Sequence, residues 1–173
     1  GDPRAIKPLK SALASETYVM VVEALDKIKD PQVIEPLVEA LLSPLSDIGK
    51  KAIAALKPYG PSSIPALLLK LELGRPLVAE ALDQAGWTPA DDRAGAIFWI
   101  NKKNWEKCET IGPPAVSPLL DRLAQKADLQ PVMTTLGRLG DVRAIEPLIQ
   151  MLGNEERRFR QTAAGALLLA AAG

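Results

Sequence analysis

Apolar residues recur along the chain in five sets with the spacing i, i+3, i+4, i+7, which places each set on one face of an α-helix; Lys10 in the first set is the one polar exception. The third set, Ile64-Leu67-Leu68-Leu71, is typical, and the first set ends at Leu13. Successive sets start 28, 30, 52 and 29 residues apart. The near-constant interval predicts stacked copies of one helical unit, and the long interval predicts an insertion. The sets begin at Ile6, Ile34, Ile64, Val116 and Ile145.

A second apolar pattern follows each first helix and is centred on a leucine. The residues three and four positions before that leucine, and three after it, are mostly small or aliphatic. At about 100° per residue these offsets fall within one arc of roughly 120°, which predicts the buried face of a second helix. The central leucines are Leu25, Leu56, Leu82, Leu136 and Leu167.

One motif marks the start of several first helices. The segment 140–148 nearly copies 1–9, with seven of nine residues the same, and 30–37 is a weaker copy. An aspartate near the start of each copy suits an N-cap: Asp2, Asp30 and Asp141. A proline two residues past the first apolar anchor predicts a kinked or delayed helix, because proline cannot donate a backbone hydrogen bond. These prolines are Pro8, Pro36, Pro118 and Pro147.

The pattern predicts a single all-α domain over residues 1–173, an α-α superhelix of five helix pairs with a two-helix insertion. The pairs are predicted at about 2–29, 30–60, 61–89, 113–140 and 141–173, and the insertion at about 90–112.

The two helix signatures resemble those of HEAT repeats: Ala-Ile-x-Pro-Leu in the first helix, and Arg-x-x-Ala-Ala-x-Ala-Leu, at 160–167, in the second. The compact repeat length is similar to the phycobilisome-lyase (PBS lyase) type of HEAT-like repeat. Trp87-Thr-Pro89 and Ile111-Gly-Pro113 resemble the linker between repeats in other HEAT-like proteins. The resemblance implies an α-solenoid. Proteins of this kind serve as scaffolds, adaptors, lyase subunits and occasional enzymes.

Composition narrows the chemistry. Twenty-one basic residues balance twenty-one acidic ones, which disfavours nucleic acid as a partner. The absence of histidine excludes Ser-His-Asp and Cys-His catalysis and any imidazole metal site. We therefore expect no catalytic residues, no cofactor and no metal.

No apolar run approaches the ~20 residues that span a bilayer, so no membrane partner is expected. The single cysteine fits a reducing compartment and predicts a cytoplasmic location, although the chain opens inside a repeat motif and an N-terminal segment could have been cut away.

The stretch from Trp87 to Gly112, which includes the insertion, holds four of the seven aromatic residues: Trp87, Phe98, Trp99 and Trp105. Asp91 or Asp92 is predicted to cap its first helix, and the second helix would carry Trp105 and Cys108. The aromatic residues could form a ligand pocket. Their helical spacing favours a small packed core with Cys108 as a buried member.

The basic run Arg157-Arg158-Phe159-Arg160 could bind phosphates, but the adjoining Glu155 and Glu156 favour a self-neutralised helix start.

The side of the second helices opposite the buried arc is the candidate docking surface. Two functional hypotheses follow. The favoured one is a non-catalytic scaffold or adaptor that binds a protein partner there, with self-association through the C-terminal helix as a further contact. The alternative is a bilin-lyase or lyase-chaperone subunit that handles a tetrapyrrole. The residues predicted for partner binding are Glu23, Asp26, Glu80, Asp83, Arg138, Leu168 and Leu169.

Overall fold

The computed structural model describes residues 2–12 and 18–172, and within these ranges the chain is helical with no strand. The predicted all-α fold is confirmed. Leu13, the last position of the first apolar set, lies outside the described residues. The chain forms two compact units, Gly1–Thr88 and Pro89–Gly173.

The first unit contains three helix pairs. First helices pack against their second helices, and the second helices α2, α4 and α6 stack in order. Leu25, Leu37 and Leu82 are fully buried in this unit, as the two apolar patterns predict. The six helices are α1 Ile6–Ala12, α2 Tyr18–Asp26, α3 Ile34–Ala40, α4 Ser46–Leu56, α5 Ile64–Leu71 and α6 Pro76–Gln84.

The second unit contains the two predicted insertion helices followed by two helix pairs. Its helices are α7 Arg93–Asn101, α8 Trp105–Ile111, α9 Pro113–Ala124, α10 Leu129–Leu139, α11 Ile145–Met151 and α12 Arg157–Ala172. The insertion helices pack on each other, α7 packs on the first helix α9, and α8 packs on the second helix α10. The insertion therefore stacks on the next pair in the same way as the repeats do.

The repeated aspartates act as N-caps, as predicted. Asp2, Asp30 and Asp141 each accept a hydrogen bond from the backbone N–H two residues later, at 2.8–2.9 Å. Each cap opens a one-turn 3-10 helix, and the α-helix begins only at the following isoleucine. The delayed start is therefore confirmed.

The motif proline stands third in three of these α-helices. The first four N–H groups of a helix have no partner within the helix, so proline removes no internal hydrogen bond at this position. Pro118 differs, because α9 begins at Pro113 and carries Pro118 in its interior.

Helices α10 and α12 approach each other closely at Gly137. A Cβ atom at this position would lie 2.6 Å from the carbonyl oxygen of Ala166 and 2.7 Å from its Cα. Only glycine permits this distance, and Gly137 and Ala166 are both buried. The small residues of the second-helix pattern thus set how closely these helices pack.

Candidate docking surface

In the first unit, α2 and α4 form a small cleft on the predicted docking surface. The cleft has a volume of about 260 Å³, and Val22, Glu23, Asp26, Lys51, Ala54 and Ala55 line it. Glu23 and Asp26 lie one turn apart on α2, so both side chains reach the same cleft. Alanines and a valine provide an apolar floor, while charged groups provide the rim.

The charges at this cleft are paired. Lys51 of α4 donates a hydrogen bond to Glu23 of α2, and this contact lowers the pKa of the Glu23 carboxyl group. Lys29 forms an ion pair with Asp26 at 3.1 Å. The cleft is therefore bordered by both signs of charge, although the sequence argument had assigned only the two carboxylates.

Two further predicted residues, Glu80 and Asp83, lie on α6 and are exposed. Helix α6 packs on α4, so these carboxylates extend the polar side of the same unit. The four predicted acidic residues thus all belong to the second helices of the first unit.

In the second unit, Arg138 borders a comparable cleft of about 290 Å³ between α8 and α10. Its guanidinium group donates a hydrogen bond of 2.9 Å to Glu109 of α8. Trp105, Gln130, Pro131, Thr134 and Thr135 complete the lining. The arrangement repeats that of the first unit, with an ion pair between adjacent second-position helices beside a shallow, partly apolar cleft.

The partners Lys51 and Glu109 were missed at the sequence level, but a signal for them exists. Glu23 and Lys51 are 28 residues apart, and Glu109 and Arg138 are 29 residues apart. Both separations equal about one repeat period. Opposite charges one period apart on the same helix face therefore indicate ion pairs between stacked helices.

Comparison with protein families gives two matches to the PBS lyase HEAT-like repeat, at residues 18–43 and 132–154. Each match covers most of a second helix, the capped turn and the next first helix. The chain contains HEAT-like repeats at these two places. The search of curated proteins gave no match.

One matched segment lies in each compact unit. The first carries Glu23 and Asp26, and the second carries Arg138 and its cleft neighbours Thr134 and Thr135. Both clefts lie between the second helices of adjacent pairs, although the matched helix α2 is the earlier helix of its cleft and the matched helix α10 is the later one.

The aromatic cluster of the protein is mostly internal. Phe98 is fully buried and meets the edge of Trp99, with ring centroids 4.9 Å apart and planes at 81°. Trp99 and Trp105 are partly buried against the apolar core of the second unit. The packed-core prediction holds for Phe98, whereas Trp105 also lines the α8–α10 cleft.

Cys108 is fully buried in that core, as predicted. Its Sγ lies 3.5 Å from the carbonyl oxygen of Asn104. Burial, together with the nearby Glu109 carboxylate, raises the pKa of the Cys108 thiol to about 12. A neutral, inaccessible thiol is a poor nucleophile and a poor site for attaching a ligand through a thioether bond.

Two of the three arginines in the basic run at the start of α12 bond to their own chain. Arg158 forms an ion pair with Glu156 at 2.7 Å and stacks over Phe159. Arg160 donates hydrogen bonds to the carbonyl oxygens of Asn154 and Glu155. These contacts agree with the predicted self-neutralised helix start.

The last two predicted residues are exposed leucines on α12. Leu168 is 74% exposed and Leu169 is 45% exposed, although both are large apolar side chains.

Within the described ranges, no cluster of three acidic or thiol side chains is placed to hold a metal ion, and none of the helices is long and apolar enough to cross a membrane.

Proposed function

We propose that this protein is a non-catalytic scaffold that binds a protein partner on the polar side of its second helices. The α2–α4 cleft carries the proposal. At about 260 Å³ it is smaller than the ~300–1,000 Å³ of ordinary small-molecule sites, but it has room for one apolar side chain of a partner. The α8–α10 cleft, at about 290 Å³, offers a second site of the same kind.

The charges around the α2–α4 cleft would give such contacts orientation. Glu80 and Asp83 lie exposed on α6, next to the helix that supplies Lys51. A partner with an apolar anchor flanked by lysine or arginine would place its cations against these carboxylates. Charges of this kind contribute specificity and association rate, while the desolvated anchor contributes more of the affinity.

Capture of partners with the tagged protein, followed by a binding measurement on the purified partner, tests this function. We expect the double variant Glu80→Lys/Asp83→Lys to weaken binding about tenfold or more, because close charge pairs at interfaces are worth roughly 1.5 kcal/mol or more. Ala54→Trp, which would fill the cleft, should weaken binding of the same partner.

Glu106→Lys is the matched control, since Glu106 is equally an exposed helical carboxylate but lies on α8, outside the α2–α4 cleft. Circular dichroism and thermal unfolding should show that every variant keeps its fold. Wild-type affinity in both the charge-reversal and the cleft-filling variant would contradict the proposed surface.

The alternative function is handling of a tetrapyrrole, which the PBS lyase family description supports. A cleft of about 760 Å³ at the starts of α10 and α12 is large enough for such a ligand, and Lys126, Arg158 and Phe159 are among its lining residues. Mixing the protein with free bilin should then sharply raise visible absorbance and fluorescence, and Phe159→Ala should remove the effect. An unchanged spectrum would contradict this function.

A further inference from the structure

Three turns of the second unit lie side by side and form one edge of it. They join α7 to α8, α9 to α10 and α11 to α12, and we call the surface made by residues 98–108, 122–132 and 150–160 the turn edge. Lys103 of the first turn forms an ion pair with Asp128 of the second at 3.0 Å. Residues of the second and third turns line the same cavity of about 760 Å³, among them Lys126 and Glu155. The three turns therefore present one continuous surface.

Basic residues are concentrated on this turn edge. It carries eight basic and four acidic residues, whereas the other residues of the second unit, within 89–173, carry three basic and six acidic ones. The equal totals of the whole chain conceal this separation of charge. Six of the eight basic residues are exposed: Lys102, Lys103, Lys107, Lys126, Arg157 and Arg158.

Helix stability does not explain the basic residues of the third turn. The N-terminus of a helix carries a partial positive charge, so the first turn favours acidic side chains over cations. The first turn of α12 nonetheless contains Arg157, Arg158 and Arg160 and no acidic residue. Arg157 is exposed, and its side chain makes no hydrogen bond or ion pair with any residue that the structure describes. Contacts within the chain therefore give no reason for a cation at this position.

Internal ion pairs use two of the four carboxylates of the turn edge. Lys103 and Arg122 both bind Asp128, at 3.0 and 3.1 Å. Arg158 binds Glu156 at 2.7 Å. The other seven charged residues are five cations and the carboxylates of Glu106 and Glu155. Positive charge therefore predominates on the turn edge after its own ion pairs have formed.

We propose that the turn edge binds an acidic segment of a protein partner. Glu106 and Glu155 lie among the cations, so a nucleic acid, with a charge on every phosphate, would meet repulsion at both. A peptide can instead place Asp and Glu side chains against the cations and neutral residues opposite these two carboxylates. Leu129, Pro131 and Phe159 line the cavity between the second and third turns, which has room for an apolar side chain of the segment.

This surface is separate from the α2–α4 cleft that carries the proposed function. Fluorescence anisotropy with a dye-labelled peptide, rich in Asp and Glu around one phenylalanine, tests it. The wild type should bind the peptide, and the affinity should fall as salt is added, because salt screens contacts between exposed charges.

The double variant Lys126→Glu/Arg157→Glu should weaken binding of this peptide about tenfold or more, since it reverses two exposed cations. Its fold should persist, because Arg157→Glu introduces a negative charge in the first turn of α12, where such a charge is favourable. Circular dichroism and thermal unfolding check this directly.

Lys50→Glu/Lys57→Glu is the matched control. It changes the net charge by the same amount, but its two exposed lysines lie in the first unit, so the peptide should bind with nearly wild-type affinity. Equal weakening by the two double variants, or a wild type that does not bind the peptide at low salt, would overturn the proposal. Tighter binding of a DNA oligonucleotide or of anionic lipid vesicles than of the peptide would overturn it as well, because the turn edge would then select another class of partner.

Discussion

At the scale of single residues, backbone capping determines where the helices begin. Asp92 accepts a hydrogen bond of 2.8 Å from the N–H of Gly95 and caps α7, whereas its neighbour Asp91 is simply exposed. The sequence left these two aspartates as equal candidates for the cap. The choice depends on backbone dihedral angles, and neighbouring identical side chains give no information about those.

We expect Asp92→Ala to lower the free energy of unfolding by about 1 kcal/mol, within a range of roughly 0.5–2, because one N–H of α7 loses its acceptor. Asp91→Ala should change it by less than about 0.5 kcal/mol. Urea unfolding of the two variants measures the difference directly. Equal effects would contradict the capping role.

Whether the role of a single residue could be predicted from the sequence depended on how far along the chain its partner lies. The caps at Asp2, Asp30 and Asp141 were predictable because the acceptor and donor are two residues apart. The ion pairs Glu23–Lys51 and Glu109–Arg138 were not predicted, since each connects different helices. Repeat spacing would have identified them only after the helices had been aligned charge by charge.

At the scale of helices, small residues control the distance between α10 and α12. Glycine at 137 lets the backbone of α12 approach, whereas Gly165 on α12 has no neighbouring atom within 4 Å of a built Cβ. The two glycines share a repeat motif rich in small residues but differ in their surroundings. The same substitution should therefore have opposite effects at the two positions.

We expect Gly137→Ala to destabilise the protein by about 1–3 kcal/mol, because the added methyl group meets backbone atoms that cannot rotate away. Gly165→Ala should stabilise it by roughly 0.5–1 kcal/mol, because alanine is the better helix former and the site is open. Thermal unfolding of both variants in parallel provides the test. A stabilising Gly137→Ala would show that the helices can separate freely.

The stacking of the two insertion helices as a repeat pair could not be predicted from the sequence. Ala94, Ile97 and Phe98 carry the first-helix spacing, but the fourth position is Asn101, which is buried nonetheless. The sequence therefore predicted α7 as a helix but not as the first helix of a repeat pair, because the repeat pattern requires leucine or isoleucine at the fourth position. Packing of α7 on α9 and of α8 on α10 identifies the two helices as a pair stacked like its neighbours.

At the scale of the whole molecule, the charges predict how stability depends on pH. Among the residues that the structure describes, the carboxyl groups whose pKa is displaced are all shifted downward, mainly through hydrogen bonds from lysine or arginine, and Arg143 lowers the pKa of Asp141 to about 2. Burial would raise the pKa of Asp128, but hydrogen bonds from Lys103 and Arg122 outweigh it and lower that pKa as well. The chain has no histidine to titrate near neutrality.

A lowered folded-state pKa contributes stability above the unfolded value of about 4, and this contribution is lost as the pH falls through the folded value. The free energy of unfolding should therefore be nearly constant between about pH 6 and 8 and should fall from about pH 4 toward pH 2. Asp141→Asn keeps an acceptor for the cap but removes the charge. Its free energy of unfolding should therefore fall less than that of the wild type as the pH is lowered from about 4 toward 2. Denaturant titrations at each pH measure both curves.

For the docking surface, the sequence predicted helix faces but not clefts. The register placed Glu23, Asp26 and Arg138 opposite the buried face, and none of the three is buried, because helical periodicity determines the face of each residue. The clefts depend on how two helices pack side by side, which places Lys51 beside Glu23 and Trp105 near Arg138. Their use by a partner stays a prediction.

The burial of Cys108 has a practical consequence for following the protein's motions. As the chain's single thiol, neutral and enclosed while folded, it should react with alkylating reagents only when the core around α8 opens. Its labelling rate would therefore report the local opening free energy of the second unit, without any engineered probe. The same shielding leaves surface positions open to selective dye attachment through an introduced cysteine, with the native thiol left in place.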